Sequence, residues 1–202
     1  NEEILGIFEQ LGDVRSRAVT LGEIAHLRAQ SEDVAGALKL HEERIGIFEQ
    51  LGDVRSRAVA LGDIAHLRAQ SGDLQAARSL QTERLEVNQR LGDLDGIANT
   101  QFLIAQLDLS EQKYQDALER LSESWQINLK LGRADGIAIV GRLWGSLLAS
   151  AGMPTEAATV LRTAKDAFQR LGREAKVKEI EDLLASLPDR PPSLEADPPP
   201  ET

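Results

Sequence analysis

A fixed spacing of 40 residues is the feature that most constrains this chain. The pair Leu-Gly occurs five times at that spacing, at positions 11–12, 51–52, 91–92, 131–132 and 171–172. Residues 11–30 and 51–70 differ at only two positions, Thr20/Ala60 and Glu23/Asp63. A regular period of roughly 20 to 50 residues is typical of repeat proteins, in which each unit buries its apolar surface against the next. The sequence therefore predicts one structural unit per 40 residues.

Turn signals divide each unit into two helices, which we call helix A and helix B. In the second unit, Gly52 suits the left-handed conformation that ends a helix, and Asp53 suits the cap of the next helix. Helix A is predicted from about 53 to 70 and helix B from the turn at 71–73 to about 91. The predicted buried stripe of this helix A consists of Val54, Ala58, Leu61, Ile64 and Ala65.

Small residues mark the places where helices are expected to approach closely. One alanine stands near the start of each helix B, and a larger residue there should cost about 1–3 kcal/mol. Gly22 and Gly62 lie within helix A, at a cost of about 1 kcal/mol each relative to alanine. We expect them to admit a neighbouring helix, and close approach by a ligand is the alternative. The helix-B alanines are Ala37, Ala77, Ala117 and Ala157.

The fourth unit carries the residues of a known repeat pattern. It reads Trp144-Gly145, Gly152, Ala157 and Ala164, which resembles the tetratricopeptide pattern of a Leu-Gly pair, a turn glycine and two small residues in helix B. The first two units keep Ile24-Ala25 and Ile64-Ala65 at the pair. They have Arg44 and Arg84 at the later small position, and the usual helix-A aromatic is replaced by Arg28, Arg68 and Leu148.

The period of 40 with its Leu-Gly-Asp ending resembles the tetratricopeptide variant of kinesin light chains and bacterial multidomain regulators. This resemblance implies an all-α fold, an α-solenoid in which antiparallel helix-turn-helix units form a right-handed superhelix. The array is expected to cover residues 1–187. It would comprise a partial helix B at 1–11, full units at 12–51, 52–91, 92–131 and 132–171, and a charged capping helix at 173–187.

The two ends of the sequence are expected to differ. Residues 188–202 hold six of the seven prolines and predict an extended tail, either a natural C-terminus or a linker. The sequence begins at Asn1 within a helix B, so we expect it to be a piece of a longer protein. The unpaired helix B would leave an apolar N-terminal edge through which the chain could associate with itself.

Composition argues against several classes of function. A net charge of −10 opposes binding to nucleic acid or to an anionic membrane. The chain has no cysteine, no apolar run long enough to span a membrane and no signal-peptide pattern, so a cytoplasmic protein is expected. It has no nucleophile placed with a base, no phosphate-binding loop and no metal motif. We therefore predict neither catalysis nor a cofactor.

The resemblance implies that the A helices line a concave groove that binds a protein or peptide. Carried over by position, the groove would also contain the apolar residues Val19, Val59, Leu103, Ile139 and Leu143. This acidic and polar entrance beside a more apolar stretch suits an extended or helical segment with a few apolar anchors and some basic groups. The alternative is that these side chains are only solvated. The candidate partner-binding residues are Glu23, His26, Gln30, Asp63, His66, Gln70, Asn99, Phe102, Gln106, Arg142 and Ser146.

Other conspicuous residues have simpler interpretations. His26 and His66 occupy the same position in adjacent units, but the equivalent Gln106 and Ser146 are poor metal ligands, so no metal site is predicted. His41 is expected to be packed or solvated. Trp125 and Trp144 are expected in the core. Surface ion pairs between repeats are predicted for Arg15, Arg17, Arg55 and Arg57 with carboxylates such as Glu42, Glu43 and Glu83, and recognition of an acidic partner is the alternative.

Three functions remain open from the sequence. The first is a protein-interaction scaffold that binds a partner segment or a neighbouring domain through the helix-A face. The second is an assembly module that clusters an attached effector domain, with contacts through residues 1–12 or the capping helix. The third is a peptide-sensing regulatory domain whose superhelix changes pitch on binding.

Overall fold

The computed structural model of this chain describes residues 2–188. Within these residues the chain forms ten α-helices and no strand, which confirms the all-α prediction. The chain divides into two compact units between Lys113 and Tyr114. The extended tail predicted for 188–202 lies outside the described residues, apart from Pro188.

Unit 1 contains six helices. Helices α2 and α3 pack together, as do α4 and α5, and contacts of α3 with α4 and of α5 with α6 join successive repeats. The partial helix B of the sequence analysis is α1, the A helices are α2, α4 and α6, and the B helices are α3 and α5. Their bounds are α1 Glu2–Leu11, α2 Val14–Gln30, α3 Val34–Gln50, α4 Val54–Gln70, α5 Leu74–Leu91 and α6 Leu94–Ser110.

Unit 2 contains four helices. Helix α7 packs against α8, α8 forms a close hairpin with α9, and α10 packs against α9. The last of these is the helix that the sequence predicted over 173–187. The bounds are α7 Tyr114–Leu131, α8 Ala134–Ser150, α9 Pro154–Arg170 and α10 Glu174–Ala185.

The turns have the geometry that the sequence predicted. Gly52 has a φ of +64° and Gly72 a φ of +83°, both in the left-handed region that favours glycine. The Asp53 carboxylate accepts a hydrogen bond from the Ser56 N–H at 3.0 Å and so caps the first turn of α4. The same cap recurs at Asp73, which accepts from the backbone of the residue three positions later. Glycine and aspartate therefore end one helix and begin the next.

Two turns use the left-handed conformation without a glycine. Glu32 has a φ of +67° and Gln112 a φ of +61°, at the positions where other units have Gly72 and Gly152. A side chain in this region costs free energy because its Cβ approaches the following carbonyl oxygen. The 40-residue register therefore imposes the turn even where the favoured residue is absent.

Apolar packing holds unit 1 together. One cluster consists of Ala18, Leu21, Ile47, Phe48 and Ala60, all less than 9% exposed. A second cluster joins Ala25 and Ala37 of one repeat to Leu67 of the next, so a core continues from repeat to repeat. The helix-B alanines are all buried, as predicted.

The predicted buried stripe of α4 needs one correction. Four of its members are buried, but Val54 is 47% exposed. Val54 is the first residue of α4, directly after the turn, and helical periodicity alone does not report burial at a helix end. The equivalent Val14 of α2 is also exposed.

The core of unit 2 joins α8, α9 and α10. Its buried residues include Leu161 and Ile180. Gly145 lies so close to α9 that a Cβ there would be 2.6 Å from the Leu161 Cγ, as expected for the close-approach position of the repeat. The rings of Trp125 and Trp144 lie 5.8 Å apart between centroids. Trp125 is buried, but Trp144 is only half-buried, so the prediction of two core tryptophans is wrong for Trp144.

Ion pairs link neighbouring helices of unit 1. The Arg15 Nη2 lies 2.7 Å from the Asp53 Oδ2, and Arg55 repeats this contact with Asp93 at 3.0 Å. Arg57 pairs with carboxylates on both sides, as Arg17 does one repeat earlier, and these partners are Glu49 and Glu83 for Arg57 and Glu9 and Glu43 for Arg17. The four arginines form surface ion pairs as predicted, with the named partners Glu43 and Glu83 for Arg17 and Arg57 but with aspartates for Arg15 and Arg55.

Candidate functional site

The helix-A face of unit 1 is defined by the side chains that α2, α4 and α6 leave accessible. Each helix contributes residues three or four positions apart, which places them on one side of the helix. The apolar neighbours of these residues on the opposite side are buried in the core. The twelve positions of the face are all exposed or half-buried, and they are Val19, Glu23, His26, Gln30, Val59, Asp63, His66, Gln70, Asn99, Phe102, Leu103 and Gln106.

The first cleft of this face lies between α2 and α4. It brings together three predicted residues, Glu23, His26 and Asp63. The His26 Nε2 and the Gln30 Nε2 lie 3.0 Å apart, so the amide donates to the ring nitrogen when that nitrogen is unprotonated. The cleft is open and is lined by both apolar and charged side chains. Its remaining lining residues are Val19, Gly22, Leu27 and Arg44.

Arg44 crosses the first cleft from helix B. A Cβ at Gly22 would lie 3.0 Å from the guanidinium carbon, so the glycine makes room for this arginine. The Arg44 Nη1 then reaches the Asp63 Oδ2 at 2.7 Å. The close approach predicted at Gly22 is thus made by a neighbouring helix, through its side chain. The sequence signalled Arg44 only as a departure from the small residue of the repeat pattern.

His41 lies beneath this ion pair. It is 5% exposed, and its Nδ1 is 3.9 Å from the Asp63 Oδ2 without a hydrogen-bond partner among the described residues. Burial lowers the pKa of His41, while the nearby Asp63 carboxylate acts in the opposite direction. The ring is therefore neutral at neutral pH, and the expectation of a packed His41 is confirmed.

The second cleft lies between α4 and α6. It encloses 230 Å³ and is mostly apolar. The predicted residues His66 and Gln106 stand at its rim, and Leu103 lies between them. Its other lining residues, which the sequence analysis did not propose as site residues, are Ala65, Ala69, Leu74, Ala77, Gln81, Leu107 and Ser110. Gln81 is a polar residue where the later units have Leu121 and Leu161, and this difference was the available signal.

Arg84 does not line the second cleft, but it contacts the lining residue Gln81. A Cβ at Gly62 would lie 2.7 Å from its Nη1, so this glycine also makes room for an arginine of helix B. The Nη1 is 3.5 Å from the Oε1 of Gln81, and the Nε is buried without a hydrogen-bond partner among the described residues. Burial lowers the pKa of Arg84, opposed by the more distant charges of Asp63 and Asp93. Arginine nevertheless remains charged at neutral pH.

Two predicted site residues belong to α8 of unit 2. The Arg142 Nη1 lies 3.0 Å from the Glu179 Oε1 of α10, so its charge is shared with a residue of the same unit. The Ser146 hydroxyl donates to the Arg142 carbonyl at 2.9 Å. Both side chains are half-buried.

The two histidines of the helix-A face are separated by their clefts. His26 lines the first cleft and His66 the second. Across residues 2–188, no group of three or more histidine and carboxylate side chains is arranged to hold a metal ion. In the same part of the chain, no helix is long and apolar enough to span a membrane.

Comparisons with known proteins bear on the fold. No family model matches the sequence, and no curated protein matches it significantly. Among solved structures, BtubC (BKLC) from P. vanneervenii is similar with a TM-score of 0.66 and 16% identity, over 96% of this chain and 94% of that one. A Podosopora anserina putative kinesin light chain with nearly identical TPR-like repeats is similar with a TM-score of 0.62 and 17% identity, over 85% and 95%.

The chain has the tetratricopeptide-repeat fold. The predicted resemblance to kinesin-light-chain repeats is therefore confirmed at the level of the fold. A Rap protein complexed with Competence and Sporulation Factor is also similar, with a TM-score of 0.64 and 15% identity. The match covers 91% of this chain and 56% of the Rap protein, so the tetratricopeptide repeats described here span little more than half of that protein.

Proposed function

We propose that this chain is a non-catalytic protein-interaction module whose helix-A face in unit 1 binds a peptide segment of a partner protein or of a neighbouring domain. The observation that carries this proposal is the second cleft, an apolar depression between two A helices with polar side chains at its rim. Its 230 Å³ is less than the roughly 300–1,000 Å³ of pockets for drug-sized molecules. The cleft therefore suits one or two side chains of a peptide better than a separate small molecule.

The chemistry of the rim fits a peptide backbone. The amide of Gln106 can both donate and accept a hydrogen bond, and the imidazole of His66 can do one or the other. Leu103 and Ala69 supply apolar contact below them. Apolar anchors fixed by a few polar contacts are a general mode of peptide recognition.

A neighbour with the same fold supports this proposal. The Rap protein of the comparison was solved in complex with Competence and Sporulation Factor, so that protein uses a related architecture to bind a partner. The fold itself hosts many functions, and the argument for this chain rests on its clefts.

The test is to select binders from a random peptide library and to measure their Kd against variants. Gln106→Ala and His66→Ala should each weaken binding about three- to tenfold, the effect of one lost hydrogen bond. Gln75→Ala is the matched control, since Gln75 is exposed on α5 and does not line either cleft. Equal weakening by all three variants would contradict the proposal.

A second candidate function is assembly through the N-terminal edge, formed by Ile7 of α1 and Leu27 of α2. Both side chains are 52% exposed, whereas the equivalent Ile47 and Leu67 are 5% and 4% exposed because a neighbouring repeat covers them. A second copy of the chain could cover the edge in the same way. Residues 1–12 and α10 are the surfaces through which we propose such association.

Light scattering across a concentration series tests this second candidate. If the edge associates, the mass should rise with concentration, and Ile7→Glu together with Leu27→Glu should restore a monomer. Leu51→Glu is the control, because Leu51 is 43% exposed away from this edge. A constant monomer mass for the unchanged chain would remove the second candidate.

A further inference from the structure

A glycine of helix A that admits an arginine of helix B occurs in the first cleft and again next to the second cleft. In the first, Gly22 admits Arg44, and Arg44 pairs with Asp63 at 2.7 Å. Next to the second, Gly62 admits Arg84, which reaches the lining residue Gln81, but the residue 40 positions after Asp63 is Leu103. The arginine therefore lies against a helix-A glycine in two repeats, but a carboxylate stands opposite it in only one of them.

Arg84 is left with little compensation for its charge. Among the described residues it forms no ion pair, and its hydrogen bond to the Gln81 Oε1 is long, at 3.5 Å. Its Nε is buried and has no hydrogen-bond partner in the part of the chain that the structure describes. A partly buried charge without a partner is costly, and arginine forms its strongest contacts with carboxylates. The arrangement at Arg44 shows which group completes the site.

We propose that Arg84 binds a carboxylate of a bound peptide, which takes the place that Asp63 occupies against Arg44. This inference rests on the proposed peptide-binding function and names the chemistry recognised next to the second cleft, where Arg84 contacts the lining residue Gln81. The ligand is a single carboxylate, from a peptide C-terminus or an acidic side chain, next to an apolar side chain that enters the cleft beside Leu103.

The negative charges around Arg84 limit how many acidic groups a bound peptide can carry. The chain has a net charge of −10, and Asp63 and Asp93 act on the Arg84 guanidinium from a greater distance. A strongly acidic peptide would be repelled by this field. One carboxylate can be compensated by Arg84, while the mostly apolar cleft accommodates an uncharged neighbour.

Three probe peptides of equal length separate the sources of the carboxylate. The first is an N-acetylated peptide of leucine, alanine and lysine with a free C-terminus, and the second is the same peptide with a C-terminal amide. The third is the amide form with one alanine replaced by glutamate. Calorimetry gives each Kd, and the Arg84 Nε–Hε resonance reports directly on contact with the guanidinium.

The repeat supplies matched variants for this experiment. Leu103→Asp places a carboxylate where Asp63 stands in the preceding repeat, so it should satisfy Arg84 internally and weaken carboxylate binding about tenfold or more. Leu103→Asn is its control, because it changes polarity without adding charge and should keep the preference for carboxylate over amide. Asp63→Leu should create the same preference at Arg44 in the first cleft. Circular dichroism checks that each variant remains folded.

The expected result is that the free-acid or the glutamate peptide binds the unchanged chain at least about tenfold more tightly than the amide, and that Leu103→Asp removes the difference. Equal binding of all three probes at the second cleft would overturn the role of Arg84 and leave the proposed function intact. No binding of any probe would count against both. The probe that is preferred identifies a terminal or a side-chain carboxylate as the source.

Discussion

The Arg78 Nη1 lies 2.8 Å from the Asp108 Oδ1 and joins helix B of one repeat to helix A of the next. Asp108 is 1% exposed, and Arg78 also contacts Glu111 at 3.1 Å. One repeat later the equivalent positions are Leu118 and Leu148, which are both apolar. Equivalent positions of successive repeats therefore hold an ion pair in one place and two apolar residues in the next.

Removing one partner of this pair should be strongly destabilising. Arg78→Leu would leave the Asp108 carboxylate buried without the guanidinium and should lower the free energy of unfolding by about 3 kcal/mol. Arg78→Leu combined with Asp108→Leu should recover most of that loss, since a buried ion pair can be replaced by apolar groups. Urea unfolding followed by circular dichroism measures both. A double variant as unstable as the single one would contradict this account.

The turn at Glu32 should be improved by glycine. Glu32→Gly removes a side chain from a left-handed conformation and should stabilise the chain by about 1 kcal/mol, partly offset by the greater freedom of unfolded glycine. The reciprocal change, Gly72→Glu, should destabilise it by about the same amount because Gly72 has a φ of +83°. Thermal unfolding measures whether the Tm rises for Glu32→Gly and falls for Gly72→Glu. If both changes moved the Tm in the same direction, backbone strain would not explain the difference between the turns.

Asp53 should make stability depend on acid pH. The hydrogen bond from the Ser56 N–H lowers its pKa below the ordinary value of 3.8, so the folded state favours the charged carboxylate. Its contribution is present above the unfolded pKa and is lost as the pH falls through the lower folded pKa. Asp53→Asn keeps a capping oxygen but does not titrate. The unchanged chain and Asp53→Asn should therefore differ less in their free energy of unfolding below about pH 4. A difference that stayed constant down to about pH 2 would contradict a lowered pKa of Asp53.

Asp53→Ala tests the cap itself at neutral pH. It removes the acceptor for the first turn of α4 and should cost about 1 kcal/mol. Asp53→Asn, measured alongside, should cost less because asparagine also caps helices. A larger loss for asparagine than for alanine would show that the cap is not the main contribution.

The fold could be predicted from the sequence because its signals are local. Gly52 and Asp53 define a turn by their own conformational preferences, and the period repeats that turn along the chain. Val54 and Trp144 were misplaced because burial depends on what lies opposite a residue, which helical periodicity does not report. The predicted face residues are accessible in the structure, but their binding role stays a proposal.

The pairing of the arginines could not be predicted. The sequence showed Arg44 and Arg84 at a position that is usually small, and it showed Gly22 and Gly62 within the A helices. Only the structure connects each arginine to its glycine, because the two lie on different helices and the contact depends on how they pack. The replacement of Asp63 by Leu103 at the equivalent position can be interpreted as the loss of an arginine partner only after that contact is known.

The most direct test of the helix-A face is an NMR titration of the isotopically labelled chain with a peptide selected for binding. We predict that the largest chemical-shift changes occur at His66, Leu103, Gln106 and the Arg84 side chain, with little change on the exposed surface of α5 around Gln75. Changes confined to Ile7 of α1, or to the outer surfaces of the B helices, would contradict the proposal that this face binds the partner.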